Sequence, residues 1–178
     1  GVSMNIQWFP GHMTKTKRMM AENIRLCDCV IELCDARCPQ SSRNPMLPSI
    51  IGNKKLLLVI NKSDIADPVQ TQKWIERFRK DGVMAIALSC NDSKGIAKVF
   101  DAVKELLKEK TERDRARGYV NKPARIMVCG IPNVGKSSCL NLLTNTEILA
   151  DDMLFATLDT TTRSLELPGK QEILLTDT

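Results

Sequence analysis

Aromatic residues make up only 4% of this 178-residue chain. So few rings point away from a base-stacking surface and toward a core of aliphatic side chains. No apolar run approaches the roughly 18 residues of a membrane-spanning helix, and no signal-like segment opens the sequence. The expectation is a soluble, cytoplasmic protein with no membrane partner. The seven cysteines include no Cys-x-x-Cys pair, the nearest spacings being Cys27-x-Cys29 and Cys34-x-x-x-Cys38, which sets zinc and disulfides aside. Several of them stand in strand-like runs, where a free cysteine acts as a small apolar residue. Buried, reduced thiols are expected. Internal repeats and low-complexity segments are absent too.

Hydrophobic residues, at 43%, suffice for a core, and the length suits one domain by the rough ~100–200-residue rule. Gly1-Val2-Ser3 ahead of Met4 reads as an expression scar. Apolar runs alternate with helical periods. Strands are expected at 29–35, 56–60, 83–88, 126–129, 164–167 and 172–176. Helices are expected at about 14–26, near 47–51, at 69–80 and 96–110, and after residue 138. Thr111–Pro123 carries no apolar period and reads as a linker, and 144–162 as a loop. Strands alternating with helices imply an α/β fold: six strands, mainly parallel, with helices on both faces and a hairpin about Pro168-Gly169-Lys170.

The strongest motif is Gly130-Ile131-Pro132-Asn133-Val134-Gly135-Lys136-Ser137, followed by Ser138. It sits between an apolar run and a helical segment, the setting of a phosphate-binding loop. Its glycines let successive N–H groups turn toward a phosphate, and the helix N-terminus adds a positive dipole end. Lys136 should reach the β- and γ-phosphates and the Ser137 hydroxyl should ligate Mg²⁺.

Asn61-Lys62-Ser63-Asp64 closes the run Leu56–Ile60. Asp64 there can accept hydrogen bonds from N1–H and the exocyclic amine of guanine, donors that adenine lacks in that place. Lys62 would lie along the base, and Asn61 would tie this loop to the phosphate loop. Taken alone the tetrapeptide also reads as a helix cap. Ser89-Cys90 ends another run and can present an N–H to the guanine O6, or be a plain strand end. Asp177 resembles the aspartate of an Asp-x-x-Gly motif that holds Mg²⁺ through water, but the expected glycine does not follow Thr178.

The base motif precedes the phosphate loop, the reverse of a Ras-like GTPase, so the fold is a circular permutation with 111–123 joining the former ends. With Gln7-Trp8-Phe9-Pro10-Gly11-His12-Met13, Asp35-Ala36-Arg37 and Ser42-Arg43-Asn44-Pro45, residues 4 to about 140 resemble the ribosome-assembly GTPases of the RbgA (YlqF) family. The resemblance implies GTP and GDP as ligands, Mg²⁺ as cofactor, hydrolysis, and late maturation of the large ribosomal subunit. It also implies ribosomal RNA as partner, action as a monomer, and an RNA-binding domain that this chain lacks. It makes His12, the one histidine, a candidate to orient the attacking water, beside the plain reading of a surface histidine. It links Asn133 to use of K⁺.

From about residue 141 the likeness changes. Leu154-Phe155-Ala156-Thr157-Leu158-Asp159-Thr160-Thr161-Thr162-Arg163 and Leu174-Leu175-Thr176-Asp177-Thr178 resemble HflX, a ribosome-binding GTPase of ordinary motif order. The chain then reads as a composite joined inside the phosphate-loop helix, and the likeness makes Thr157 the threonine that senses Mg²⁺ and the γ-phosphate, with Thr161 and Thr162 as fallbacks. Two alternatives follow: a guanine-nucleotide-binding module with little hydrolysis, and an HflX-like ribosome-splitting factor. The net charge of +5 leaves two basic clusters, Lys15-Lys17-Arg18 and Arg113-Arg115-Arg117-Lys122-Arg125, either facing RNA or simply solvated.

Overall fold

The computed structural model describes residues 10–119, 122–145, 153–157, 164–167 and 171–174, with backbone alone at 10–16, 164–167 and 171–174. In chain order the elements are α1 (Pro10–Arg25), β1 (Cys29–Asp35), α2 (Leu47–Ile51), β2 (Lys55–Asn61) and α3 (Pro68–Lys80). There follow β3 (Met84–Ala87), α4 (Ser93–Leu106), α5 (Lys108–Ala116), β4 (Ala124–Cys129) and α6 (Lys136–Thr144). The last three are β5 (Met153–Thr157), β6 (Ser164–Leu167) and β7 (Gln171–Leu174). They form one sheet in the order β3-β2-β1-β4-β5-β6-β7. The five strands from β3 to β5 run parallel, and β6 and β7 turn antiparallel.

Both faces of the parallel strands are covered, which explains why they read as continuous apolar runs. On one face Cys29, Ile31, Leu33, Leu57, Val59, Ile126 and Val128 pack against Ile96, Val99, Phe100 and Val103 of α4 and Cys139 and Leu143 of α6. On the other, Val30, Met127 and Cys129 meet Met20 and Ile24 of α1 and Leu47 and Ile50 of α2. Beside them Cys34, Leu58, Ile60 and Ala85 meet Ile75 and Phe78 of α3. Six cysteines are buried and unpaired and only Cys38 is exposed; Cys29, Cys34 and Cys129 stand in strands, as expected. Burial pushes the Cys27 thiol up to about 11 and those of Cys29 and Cys34 up to about 12, so none of the three is a thiolate near neutrality.

One charge lies inside this packing. Glu32 of β1 is fully buried. Its Oε1 accepts from Arg43 at 2.7 and 2.9 Å, and its Oε2 accepts from the Asn44 N–H at 3.0 Å. The Arg43 guanidinium in turn lies 5.4 Å from the Phe78 ring centroid. The pair ties the loop after β1 to the sheet.

The structure corrects three expectations. The sheet has seven strands and not six, because Met153–Thr157, within the expected loop 144–162, is β5. Its Met153 and Phe155 are buried, with Phe155 edge-on to Phe100 at 6.0 Å. An apolar strand takes the interior place beside β4, and the alternating Ser-Leu-Glu-Leu and Gln-Glu-Ile-Leu segments are left toward the edge. The expected linker 111–123 begins inside α5, a helix with no apolar stripe. Pattern reading is blind to such a helix. It is held by the Lys110 ammonium, which bridges Asp114 at 2.8 Å and Asp28 at 3.1 Å. Finally, α1 starts at Pro10, so His12 lies within the helix rather than ahead of it.

Removing Arg43 leaves Glu32 charged and buried. Arg43→Ala should lower stability by about 3–5 kcal/mol, and joint replacement by Glu32→Leu and Arg43→Met should recover most of it. Urea unfolding of the three variants measures both effects; a loss under 1 kcal/mol for Arg43→Ala would mean the pair does not hold the loop.

Candidate functional site

In the sheet the chain moves outward from β1 to β2 and β3, then crosses to the other side of β1 for β4 and β5. The crevice between β1 and β4 is therefore the topological switch point, where open α/β sheets bind ligands at their carboxyl ends. The phosphate loop leaves β4 at that point. Asn61 ends β2 directly beside Asp35, the last residue of β1.

The Asn61 side chain joins the motifs. It is 3% exposed. Its Nδ2 donates to the Val134 carbonyl at 2.9 Å, and its Oδ1 accepts from the Cys90 N–H at 2.9 Å. Both ends of a buried amide are thereby satisfied. Asn61 approaches so closely that a Cβ on Gly135 would lie 2.5 Å from Nδ2. Gly135 also has φ 95°, so glycine is required there twice over. At Gly130 a Cβ would meet Val134 Cγ2 at 2.8 Å and the Leu33 carbonyl at 3.0 Å, which fixes the first glycine of the loop.

Lys62 makes the second bridge. Its backbone is left-handed at φ 64°, as is that of Asn133 at φ 71°. Its ammonium donates to the Asn133 carbonyl at 2.7 Å and lies 3.4 Å from Asp35 Oδ2. Asp35 also takes a fork from Arg37, Nε to Oδ1 at 3.0 Å and an Nη to Oδ2 at 2.7 Å, plus the Arg37 N–H at 2.9 Å. The Arg37 guanidinium holds the Asp35 carboxyl well below the usual carboxylate range; burial opposes this, and Lys62 assists. The Ser42 hydroxyl accepts from the Asp35 N–H at 2.7 Å and donates to the Cys38 carbonyl at 2.7 Å, so the loop that carries Arg37 is itself pinned.

Asp64, Ser137 and Ser138 are exposed, and Lys136 and Ser89 are half-buried. Neither Asp64 nor Lys136 makes a side-chain hydrogen bond or ion pair with the described residues, which leaves carboxylate and ammonium free for a ligand. The Cys90 N–H, expected to face a guanine O6, instead donates to Asn61; the buried amide claims it first. Thr157 ends β5 in register with Val128 of β4, so it borders the phosphate-loop strand from a strand end and not from a loop. Asp177 lies outside the described residues, and β7, which leads to it, is the outer strand with β5 and β6 between it and β4. The His12 side chain is likewise undescribed. Asp35-Ala36-Arg37 entered the sequence reading only as a motif of the resemblance and not as part of this site; the pairing of Asp35 with Asn61 at adjacent strand ends brings it there.

Ser137 and Thr157 offer hydroxyl oxygens, and no cluster of three His, Cys, Asp or Glu side chains suited to a metal occurs among the described residues. Such a donor set fits a hard cation held mainly by phosphate oxygens and water. The second basic cluster, Arg113 to Arg125, lies on the opposite edge, where α5 and Arg125 precede the body of β4. A cleft of about 700 Å³ opens there, lined by Leu107, Lys108, Tyr119, Lys122 and Met153, away from every motif of the nucleotide edge. No helix among the described residues is long and apolar enough to cross a membrane.

Comparison with known proteins agrees with this edge. A family model described as 50S ribosome-binding GTPase matches residues 125–178, as one stretch across the expected join near 140. Ribosome biogenesis GTPase A of Priestia megaterium is 49% identical over 147 residues, 82% of this chain and 51% of that protein. Mitochondrial ribosome-associated GTPase 1 of Mus musculus is 40% identical, covering 77% of this chain and 41% of that protein. The structure of GNP-bound YlqF from T. maritima superposes with a TM-score of 0.51 at 30% identity, covering 73% of this chain and 48% of that one. The chain thus spans about half the length of the bacterial relatives it matches.

Two outcomes test the geometry. Gly135→Ala forces a left-handed alanine against Asn61, so GDP affinity should fall at least about tenfold while stability falls by only about 1–3 kcal/mol; titration and urea unfolding separate the two. Asp35 has a depressed folded-state pKa, so its stabilisation is complete above about pH 4 and is lost as pH falls through the lower folded value. Its carboxyl carbon should show no NMR titration step between about pH 5 and 3, while the stability gap to Asp35→Asn narrows as the pH falls below about 4. A step near pH 4 would remove the strong Arg37 pair.

Proposed function

We propose that the chain is a circularly permuted GTPase of the ribosome biogenesis GTPase A (YlqF) family, and that it binds and hydrolyses GTP in large-subunit assembly. The observation that carries this is the Asn61 bridge, which joins the base motif to the phosphate loop at 2.9 Å. In the proposed complex Asp64 pairs with the guanine N1–H and amine, and Lys62 lies along the base. The N–H groups of 133–138 cradle the phosphates, and Lys136 reaches the terminal ones. Ser137 and Thr157 would hold Mg²⁺, which would supply charge neutralisation on the phosphates. Asn133 is the residue that K⁺ would engage.

His12 is proposed to orient the attacking water. The helix α1 returns into β1 through the short turn 26–28, and Met20 packs with Cys129 and Ala156 near the strand ends. The start of α1 therefore points toward the carboxyl edge, and docking on the ribosome would bring His12 in. Partners are the precursor of the large subunit and its RNA. Lys17 and Arg18 are exposed on α1 and Arg113, Arg115, Arg117 and Lys122 on the far edge, so salt should weaken that contact steeply.

The deciding experiment is titration of fluorescent GDP and ADP, with Lys136→Ala as control. Adenine leaves the Asp64 carboxylate unpaired, a cost of about 1–3 kcal/mol, so ADP should bind roughly five- to 150-fold more weakly. Lys136→Ala should abolish tight binding. Equal affinity for the two nucleotides would remove the guanine assignment, and with it the proposed role.

A further inference from the structure

The strand β1 carries two carboxylates with different fates. Glu32 is fully buried and sealed against Arg43 and Asn44. Asp35, three residues on, reaches the carboxyl edge and is shared. Its Oδ2 serves an Arg37 nitrogen at 2.7 Å and the Lys62 ammonium at 3.4 Å. The same ammonium donates to the Asn133 carbonyl of the phosphate loop at 2.7 Å. The Arg37 side chain is 53% exposed and that of Asp35 only 10%. An arginine needed only to neutralise a buried carboxylate would be covered, as Arg43 is at 17%.

We propose that Asp35 is a positioning residue of the nucleotide site. Its carboxylate steadies the Lys62 ammonium beneath the Asn133 carbonyl, and Arg37, bound to the same carboxylate, limits how much of that charge Lys62 receives. The inference rests on the guanine-site reading above and adds a control to it. Among the described residues Lys62 is the one side chain that spans from the base motif to the phosphate loop through its charge, so its anchorage sets how long a nucleotide stays. Arg37 stands half in solvent, where an anionic group of a partner can draw it off the carboxylate. Losing Arg37 strengthens the Asp35–Lys62 attraction and closes the site further; losing Asp35 frees Lys62.

Release of fluorescent GDP, followed by stopped flow on the full chain, tests this through opposite signs. Asp35→Asn should release GDP about tenfold faster, the loss of one hydrogen bond to a charged group. Arg37→Ala should release it about threefold more slowly, a part-exposed ion pair having been removed from competition. In a Lys62→Ala background both changes should shrink below about twofold, since coupling through Lys62 is then gone. Thermal unfolding of each variant runs alongside. If Asp35→Asn does not fold, the exposed Arg37→Ala still decides by its sign. Faster release from Arg37→Ala, or an Asp35→Asn effect that persists without Lys62, overturns the inference while the guanine site stands. A wild-type chain that holds no GDP overturns the site reading and the inference together.

Discussion

The buried amide of Asn61 is the constraint on which the nucleotide edge depends. Its side chain touches the phosphate loop and the 89–90 loop at once, donating to Val134 and accepting from Cys90. A buried amide with either end unpaired would cost a hydrogen bond's worth of desolvation, so the three loops keep their relative places or all lose them together. The demand reaches into the sequence as Gly135, where any side chain would strike Asn61. It also explains why the Cys90 N–H is directed inward.

Charge is arranged around that lock in two tiers. Within the sheet, Glu32 and Arg43 neutralise each other and fix the loop that follows β1. At the rim, the one carboxylate of Asp35 is shared between four donors: the Arg37 N–H, its Nε and an Nη, and the Lys62 ammonium. The first tier is closed to solvent and serves the fold. The second is half open and borders the phosphate loop, where redistribution of one charge changes what a ligand meets. A left-handed Lys62 and a left-handed Asn133 place the contact between them, and backbone strain of that kind is tolerated where surrounding contacts over-determine it.

The permutation changes the chain's entry point without changing this edge. Strands β1, β2 and β3 come first and carry the base side; β4 then crosses β1 to bring the phosphate loop to the switch point. The helix α5 and the short stretch before β4 make the join, on the edge opposite the site. There the Lys110 bridge to Asp28 and Asp114 holds the connection to the start of β1, so the crossing need not disturb the loops that contact a ligand.

Much of this was legible in order and spacing. Four of the parallel strands, the helix 47–51 and the phosphate loop follow from apolar runs and glycine placement, which are local. The class of ligand follows from Asp64, Lys136 and the motifs around them. The strand Met153–Thr157 does carry an apolar run, Met-Leu-Phe-Ala, but it is short and stands between polar segments, and its place beside β4 depends on burying Phe155 against Phe100. The helix α5 was hidden because it has no apolar face to read. The Asn61–Val134 and Lys62–Asn133 bonds join positions 73 and 71 residues apart, and the sharing of Asp35 between Arg37 and Lys62 depends on β1 lying between β2 and β4. The sequence by itself thus determined which chemical groups are present and which ligand they suit, since short-range pattern encodes both. Only the tertiary structure decided which of those groups share a proton or a charge, because that depends on strand order, which no local pattern contains.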